Sequence, residues 1–194
     1  SIMLLAIDIG NTNITLGVFE NESILETFRL ASDKELPQEE YEILLHSLFK
    51  KYDISACIIA SVVDELSKIL KNAADNVFHL NSMLLSPKLN LGIKIKLKNP
   101  KEAGADRIAN ACGAYVLYSK PAIIVDLGTA TTFDIINKEG DFVGGVIMPG
   151  LNLQFRALNK STSKLPKIEP DTVKKAIGDN TVDAILSGVI RGSA

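Results

Sequence analysis

Leu4-Leu5-Ala6-Ile7-Asp8-Ile9-Gly10-Asn11 returns as Ala122-Ile123-Ile124-Val125-Asp126-Leu127-Gly128-Thr129, 118 residues later in the chain. Each copy is a short apolar run ending in Asp-x-Gly, which reads as a buried strand entering a turn. The first copy continues into strands at Ile14 to Phe19 and Ser23 to Leu30, with Gly10 to Asn13 and Glu20 to Glu22 as the turns. The second continues into Thr131 to Ile136 and Asp141 to Ile147, turning at Lys138 to Gly140. A match of strand, turn, strand, turn, strand in order is a duplicated meander, not a chance pair of acidic turns. The pattern predicts an α/β fold of two tandem domains, residues 1–120 and 121–194, facing each other across a cleft.

Between the two copies the pattern is mixed. After Pro37, Tyr41, Leu44, Leu45, Leu48 and Phe49 recur at the three-and-four spacing of one apolar helix face, with Glu42, His46 and Lys50 opposite. Ala56 to Ala60 is a short run suited to a buried strand. A helix from about Glu65 to Asn76 follows, then a strand at Val77 to Leu80 that includes His79. Ile93-Lys94-Ile95-Lys96-Leu97-Lys98 alternates strictly, which predicts a strand with a packed face and a solvated lysine face. A helix is expected from Ala105 to about Ser119, burying Ile108, Ala111, Cys112, Tyr115 and Val116, with Pro121 closing it.

Composition narrows the function. The 194 residues are 46% hydrophobic and 23% charged with a net charge of −2, enough for a core and poorly suited to a polyanion partner. Runs such as Ile2 to Ile7 fall far short of the roughly 20 apolar residues that span a bilayer. The first run lacks a basic leader and a cleavage site, so the expected location is cytoplasmic, with neither nucleic acid nor membrane as partner. Cys57 and Cys112 lack redox or metal spacing and are expected as free thiols; with only 2 His, carboxylates and backbone must carry the chemistry.

The Asp-x-Gly turns suit phosphate. Each places a carboxylate at a strand end beside backbone N–H groups that an anion can approach closely. A carboxylate repels phosphate, so a cation must lie between them, and Mg²⁺ held through water is the usual solution. Asn11, Thr12, Asn13 and Thr15 in the first copy, and Thr129, Thr131 and Thr132 in the second, offer neutral donors. No Gly-Lys dipeptide for a P-loop and no Gly-x-Gly-x-x-Gly after a strand are present. Gly104-Ala105-Asp106-Arg107 opens the linking helix, where the dipole favours an anion. Asp106 is placed to accept a hydroxyl proton there, and Arg107 to hold a carboxylate or phosphate.

Asp8-Ile9-Gly10-Asn11-Thr12, Gly104 to Arg107, Asp126 to Asp134, Gly144 to Gly150 and Gly178 to Thr181 resemble, in order and spacing, type III pantothenate kinase, over nearly the whole chain. The resemblance implies the actin, hexokinase and acetate-kinase-like ATPase superfamily, with two ribonuclease-H-like domains. It also implies ATP-dependent phosphorylation of pantothenate, the first step of coenzyme A synthesis. By position, Asp8, Ile9, Gly10, Asn11, Thr12, Asn13, Ile14, Thr15 and Thr129 resemble the ATP site. Asp106 resembles the proton acceptor, and Gly104, Ala105, Asp106 and Arg107 with Thr181 the pantothenate site. Asp126 resembles the ligand of a monovalent cation, potassium or ammonium, and Asp8 is the candidate for Mg²⁺ through water. A homodimer with substrate near the subunit interface is also implied. Leu97 stands where the family often has an aromatic substrate contact. The second domain is two strands shorter than the first, so the final helix is expected to expose apolar surface. The alternatives are a non-catalytic ATP-binding regulator, or another small-molecule kinase or phosphatase of the superfamily.

Overall fold

The computed structural model describes residues 2–194, which cluster into two compact units, residues up to 122 with 136–143, and 123–135 with 144–194. In the first unit, β1 (Met3–Ile9), β2 (Asn13–Glu20) and β3 (Ser23–Ala31) form the expected antiparallel meander. β4 (Ala56–Ser61) adds parallel to β1 and β5 (Met83–Leu84) parallel to β4, giving a mixed sheet in the order β3-β2-β1-β4-β5. Strand alternation decides which side chains form the core: Leu5, Ile7 and Ile9, Ile14, Leu16 and Val18, and Cys57 and Ile59 are all buried on one face.

That face is covered by α1 (Gln38–Phe49) and α2 (Asp64–Phe78). α1 contributes Tyr41, Leu45 and Phe49, one stripe at spacing four, and Phe49 meets Phe28 and Phe78 edge-on at centroid distances of 5.2 and 6.3 Å. α2 buries Leu66, Leu70, Ala73 and Ala74, and carries Asp64 and Glu65 in its first turn, where the dipole favours them. Its end corrects an expectation: Val77 and Phe78 complete the helix, and His79 caps it at φ 54 and ψ 46, so no strand exists at 77–80. A short apolar run reads alike as strand or helix end; here the left-handed cap settles which.

Two further expectations fail in the linking region. Residues 93–98 keep their alternating burial but form only a single bridge, Ile95 with Phe142, because a neighbouring strand pairs with them at one point and not along a ladder. Lys96 also departs from a merely solvated face: its Nζ lies 2.5 Å from Asp141 and holds that carboxyl below its ordinary value. α3 (Ala105–Leu117) forms as expected but buries Ala105, Ile108, Ala111 and Ala114; Cys112 and Tyr115 are half-buried and Val116 is 77% exposed. Apart from Ile108, the inward-facing residues are small alanines, and the helix packs against β4.

The other meander is β6 (Ala122–Leu127), β7 (Ala130–Ile136) and β8 (Phe142–Pro149), in the sheet order β6-β7-β8, and most of it falls in the second unit. α4 (Leu151–Lys160), α5 (Thr181–Leu186) and a π-helical turn at Ser187–Arg191 follow. Phe155, Ile185, Leu186 and Val189 form a separate cluster, ringed by half-buried Leu158, Leu165, Ile168, Val173 and Ile190. The final helix therefore buries its apolar side, contrary to expectation. Exposed apolar surface lies on β6 instead, where Ile123, Val125 and Leu127 are 67%, 51% and 80% exposed. Among the described residues no helix is long and apolar enough to cross a membrane.

Candidate active site

The first acidic turn sits at the carboxyl end of β1. Asp8 is exposed there and pairs across β2 with Thr15, so the two side chains stand on one face of the sheet. Ile9 and Ile14, paired next along, are 0% exposed and point into the core, so they can serve a ligand only through their backbone. The Gly10 N–H donates to the Asn13 carbonyl at 2.9 Å and closes the turn. A Cβ on Gly10 would stand 3.1 Å from that oxygen, which is why the tightest point carries no side chain.

Ser32, just past β3, is a part of this turn that the sequence did not mark. Its Oγ donates to the Gly10 carbonyl at 2.5 Å, and its N–H donates to the Thr12 carbonyl at 3.0 Å. The two partners lie about twenty positions apart in the chain, too far for a local motif to reveal them.

The second element of the site reaches the same end of the sheet. The Val62 N–H, just past β4, donates to the Ile9 carbonyl at 3.1 Å, and Gly104 lies against the Val62 side chain. Gly104 caps α3 in extended conformation, and the Ile108 N–H donates to its carbonyl. The Asp106 carboxylate folds back over this cap: its Oδ1 accepts from the Arg107 N–H at 2.8 Å. A Cβ on Gly104 would stand 2.6 Å from that same Oδ1, so Gly104 leaves the room in which the carboxylate sits. The Arg107 guanidinium lies over the Phe142 ring, 5.4 Å from its centroid, and Phe142 is fully buried. Leu97 is half-buried beside the short bridge to Phe142.

In the second unit Asp126 is half-exposed near the end of β6, and Thr129 is exposed in the turn that follows. The Gly128 N–H donates to the Ala130 carbonyl at 3.0 Å, and the Gly150 N–H, at the start of α4, donates to Thr129 at 2.9 Å. Thr131 and Thr132 are each 8% exposed, and the Thr132 hydroxyl is buried. Thr181 is the exposed first residue of α5, after Asn180, whose side chain accepts from the Asp183 N–H at 3.0 Å. Asp8, Thr15 and Gly104 to Arg107 are thus assembled within the first unit. Asp126 and Thr129 are assembled within the second, and Thr181 stands at its own helix start there. His46 is exposed on α1 and His79 serves as a helix cap. Cys57 is buried and Cys112 half-buried, both free thiols.

Among the described residues no three His, Cys, Asp or Glu side chains cluster to hold a metal. Mg²⁺ on a nucleotide does not require such a cage, since it keeps several waters and takes one or two carboxylates with the phosphates. An exposed strand-end carboxylate such as Asp8 fits that mode.

These features define a class: an α/β protein built on a mixed sheet, with an acidic turn and a capped helix start brought to the carboxyl end of its central strands, where such sheets bind ligands. The chain belongs to the type III pantothenate kinase family, whose model matches residues 4–194. A type III pantothenate kinase of Halalkalibacterium halodurans is 42% identical over 195 residues, spanning 98% of this chain and 77% of the relative. A Baf-family protein of Campylobacter jejuni has a crystal structure that superposes with a TM-score of 0.60 at 22% identity, covering 97% of this chain and 75% of that one. That likeness concerns the fold.

Proposed function

We propose that this chain transfers the γ-phosphoryl group of ATP to the primary hydroxyl of pantothenate, opening coenzyme A synthesis. The observation that carries the residue assignments is the meeting of the Asp8 turn and the Asp106 helix start at one end of one sheet, joined through Val62. The turn from Gly10 to Asn13, with Thr15 and with Thr129 of the second unit, binds the ATP phosphates; Ile9 and Ile14 contribute backbone only. Gly104, Ala105, Asp106, Arg107 and Thr181 bind pantothenate, with the Arg107 guanidinium on its carboxylate. In this reading residues 1–120 and 121–194 act as tandem ribonuclease-H-like domains that close on the substrates across a cleft, as a cytoplasmic homodimer.

In the reaction the hydroxyl oxygen forms a bond to the γ-phosphorus while the bond from that phosphorus to the β-bridging oxygen breaks. ADP leaves, and the hydroxyl proton passes to the Asp106 carboxylate and then to water. Phosphoryl transfer depends on positioning and charge neutralisation more than on a strong base. Asp106 accordingly orients the hydroxyl, and its contact with the Arg107 N–H keeps the carboxylate on the cap. Asp8 would hold Mg²⁺ through water and Asp126 would hold potassium or ammonium, and such cations would supply neutralisation of the phosphate charge.

ADP release with ATP and Mg²⁺, measured with and without pantothenate in sodium and then potassium buffer, tests the proposal. Turnover that requires both pantothenate and potassium is the expected result. Turnover with other acceptors alone, or ATP binding without ADP release, assigns the chain to another kinase or to a regulator and overturns the reading.

A further inference from the structure

We propose that Ser32 is a positioning residue for the phosphate turn, turning the Asn11 N–H toward the nucleotide from behind. The proposal rests on the assignment of residues 10–13 to the ATP phosphates and adds a residue outside every motif of the chain. Two bonds from one residue carry it: the Ser32 hydroxyl donates to the Gly10 carbonyl at 2.5 Å, and the Ser32 N–H to the Thr12 carbonyl at 3.0 Å. In a planar trans peptide the C=O and the following N–H point in opposite directions. A Gly10 carbonyl drawn toward Ser32 therefore sends the Asn11 N–H to the far side of the turn. Two peptide orientations, those after Gly10 and after Thr12 on either side of the Asn11–Thr12 peptide, are thus fixed by the end of β3. A turn whose N–H groups are already aimed loses no rotational freedom when phosphate arrives.

The backbone half of this support survives any substitution, because the N–H to Thr12 belongs to the main chain. The hydroxyl half does not. Ser32 is half-buried in a loop, and its replacement by alanine removes one hydroxyl while leaving no large cavity.

Steady-state kinetics on the full chain test the idea, with ATP and pantothenate varied in turn. Ser32→Ala should raise KM for ATP about tenfold, the scale of one lost hydrogen bond, with KM for pantothenate unchanged and Tm close to that of the parent. Ser32→Thr, which keeps a hydroxyl, should restore the parental KM for ATP. An unchanged KM for ATP in Ser32→Ala overturns the proposal. So does a parallel change of both Michaelis constants with a fall in Tm, and so does a failure of Ser32→Thr to recover. The parent protein is the control for the underlying reading: no pantothenate-dependent turnover there is a failure of the kinase assignment, whereas parental turnover with an indifferent Ser32→Ala is a failure of this inference alone.

Discussion

Asp106 shows how much a single residue owes to its neighbours. Its carboxylate lies back over the helix cap because Gly104 has no side chain: a Cβ there would come within 2.6 Å of Oδ1. Asp106→Asn removes the proton acceptor and keeps the shape. It should lower kcat by about 10²-fold or more, the usual range for a general base, while ATP affinity measured by calorimetry stays at the parental value. Loss of ATP binding in that variant would reassign the residue to the nucleotide. Cys57 illustrates a residue with a stability role and no chemical one. Burial pushes its thiol up to about 11, above the ordinary cysteine value. A pKa raised on folding means the folded state holds the proton more tightly, so its contribution is full below the unfolded pKa and is lost as pH rises toward 11. Denaturant titrations should find that Cys57→Ala flattens the decline of stability between pH 9.0 and about 11 by roughly 3 kcal/mol. Equal slopes in parent and variant would refute it. The sequence marked Asp106 because its motif is contiguous, whereas Ser32 left no local signal: its partners lie in the turn between β1 and β2, about twenty positions earlier.

Elements were legible where local chemistry agreed with tertiary need, and illegible where a partner decided. The first meander and α1 follow from period-two and period-four burial in the sequence itself. The alternation at 93–98 was equally clean, yet it meets a neighbour only at Ile95 and Phe142, so no ladder forms. α4 escaped notice although Leu151, Phe155 and Leu158 recur at four-and-three spacing, and of its ten residues only Phe155 is buried. That helix nonetheless has a tight connection to the second acidic turn. Gly150, before its first residue, has φ −66° and ψ 164°, a conformation open to any residue, so space and not backbone freedom explains the glycine. A Cβ there would stand 2.2 Å from the Gly128 carbonyl oxygen and 2.6 Å from that of Thr129. Alanine must push the turn or the helix aside, and a displacement of about 1 Å at a reacting site costs about 10²-fold. Gly150→Ala should therefore raise the potassium concentration for half-maximal rate, and KM for ATP, while KM for pantothenate holds. Parental potassium and ATP dependence in a folded variant would show that the turn tolerates the shift.

At the scale of the whole molecule the two meanders are finished differently. In the first sheet β1 is flanked by β2 on one side and β4 on the other, so its edges are both paired. Its counterpart β6 pairs with β7 and ends the second sheet. Its outward side chains are Ile123, Val125 and Leu127, at 67%, 51% and 80% exposure. An edge strand with an apolar face is a template for another strand, and natural proteins ordinarily blunt such edges with charge, proline or a covering element. Val125 and Leu127 bury little, so replacing them removes surface stickiness without removing core. The 194-residue chain should accordingly bind a hydrophobic dye and self-associate as its concentration rises, seen by sedimentation velocity. Val125→Thr with Leu127→Thr keeps one β-branched residue in place and introduces another, so strand propensity survives. The double variant should weaken self-association by about tenfold or more, since each side chain withheld from a contact forfeits part of the roughly 1.5–3 kcal/mol of full burial. Its Tm should match the parent. Association of the same strength in the double variant would place the contact on another surface, and a large fall in Tm would mean that this face is packed in solution.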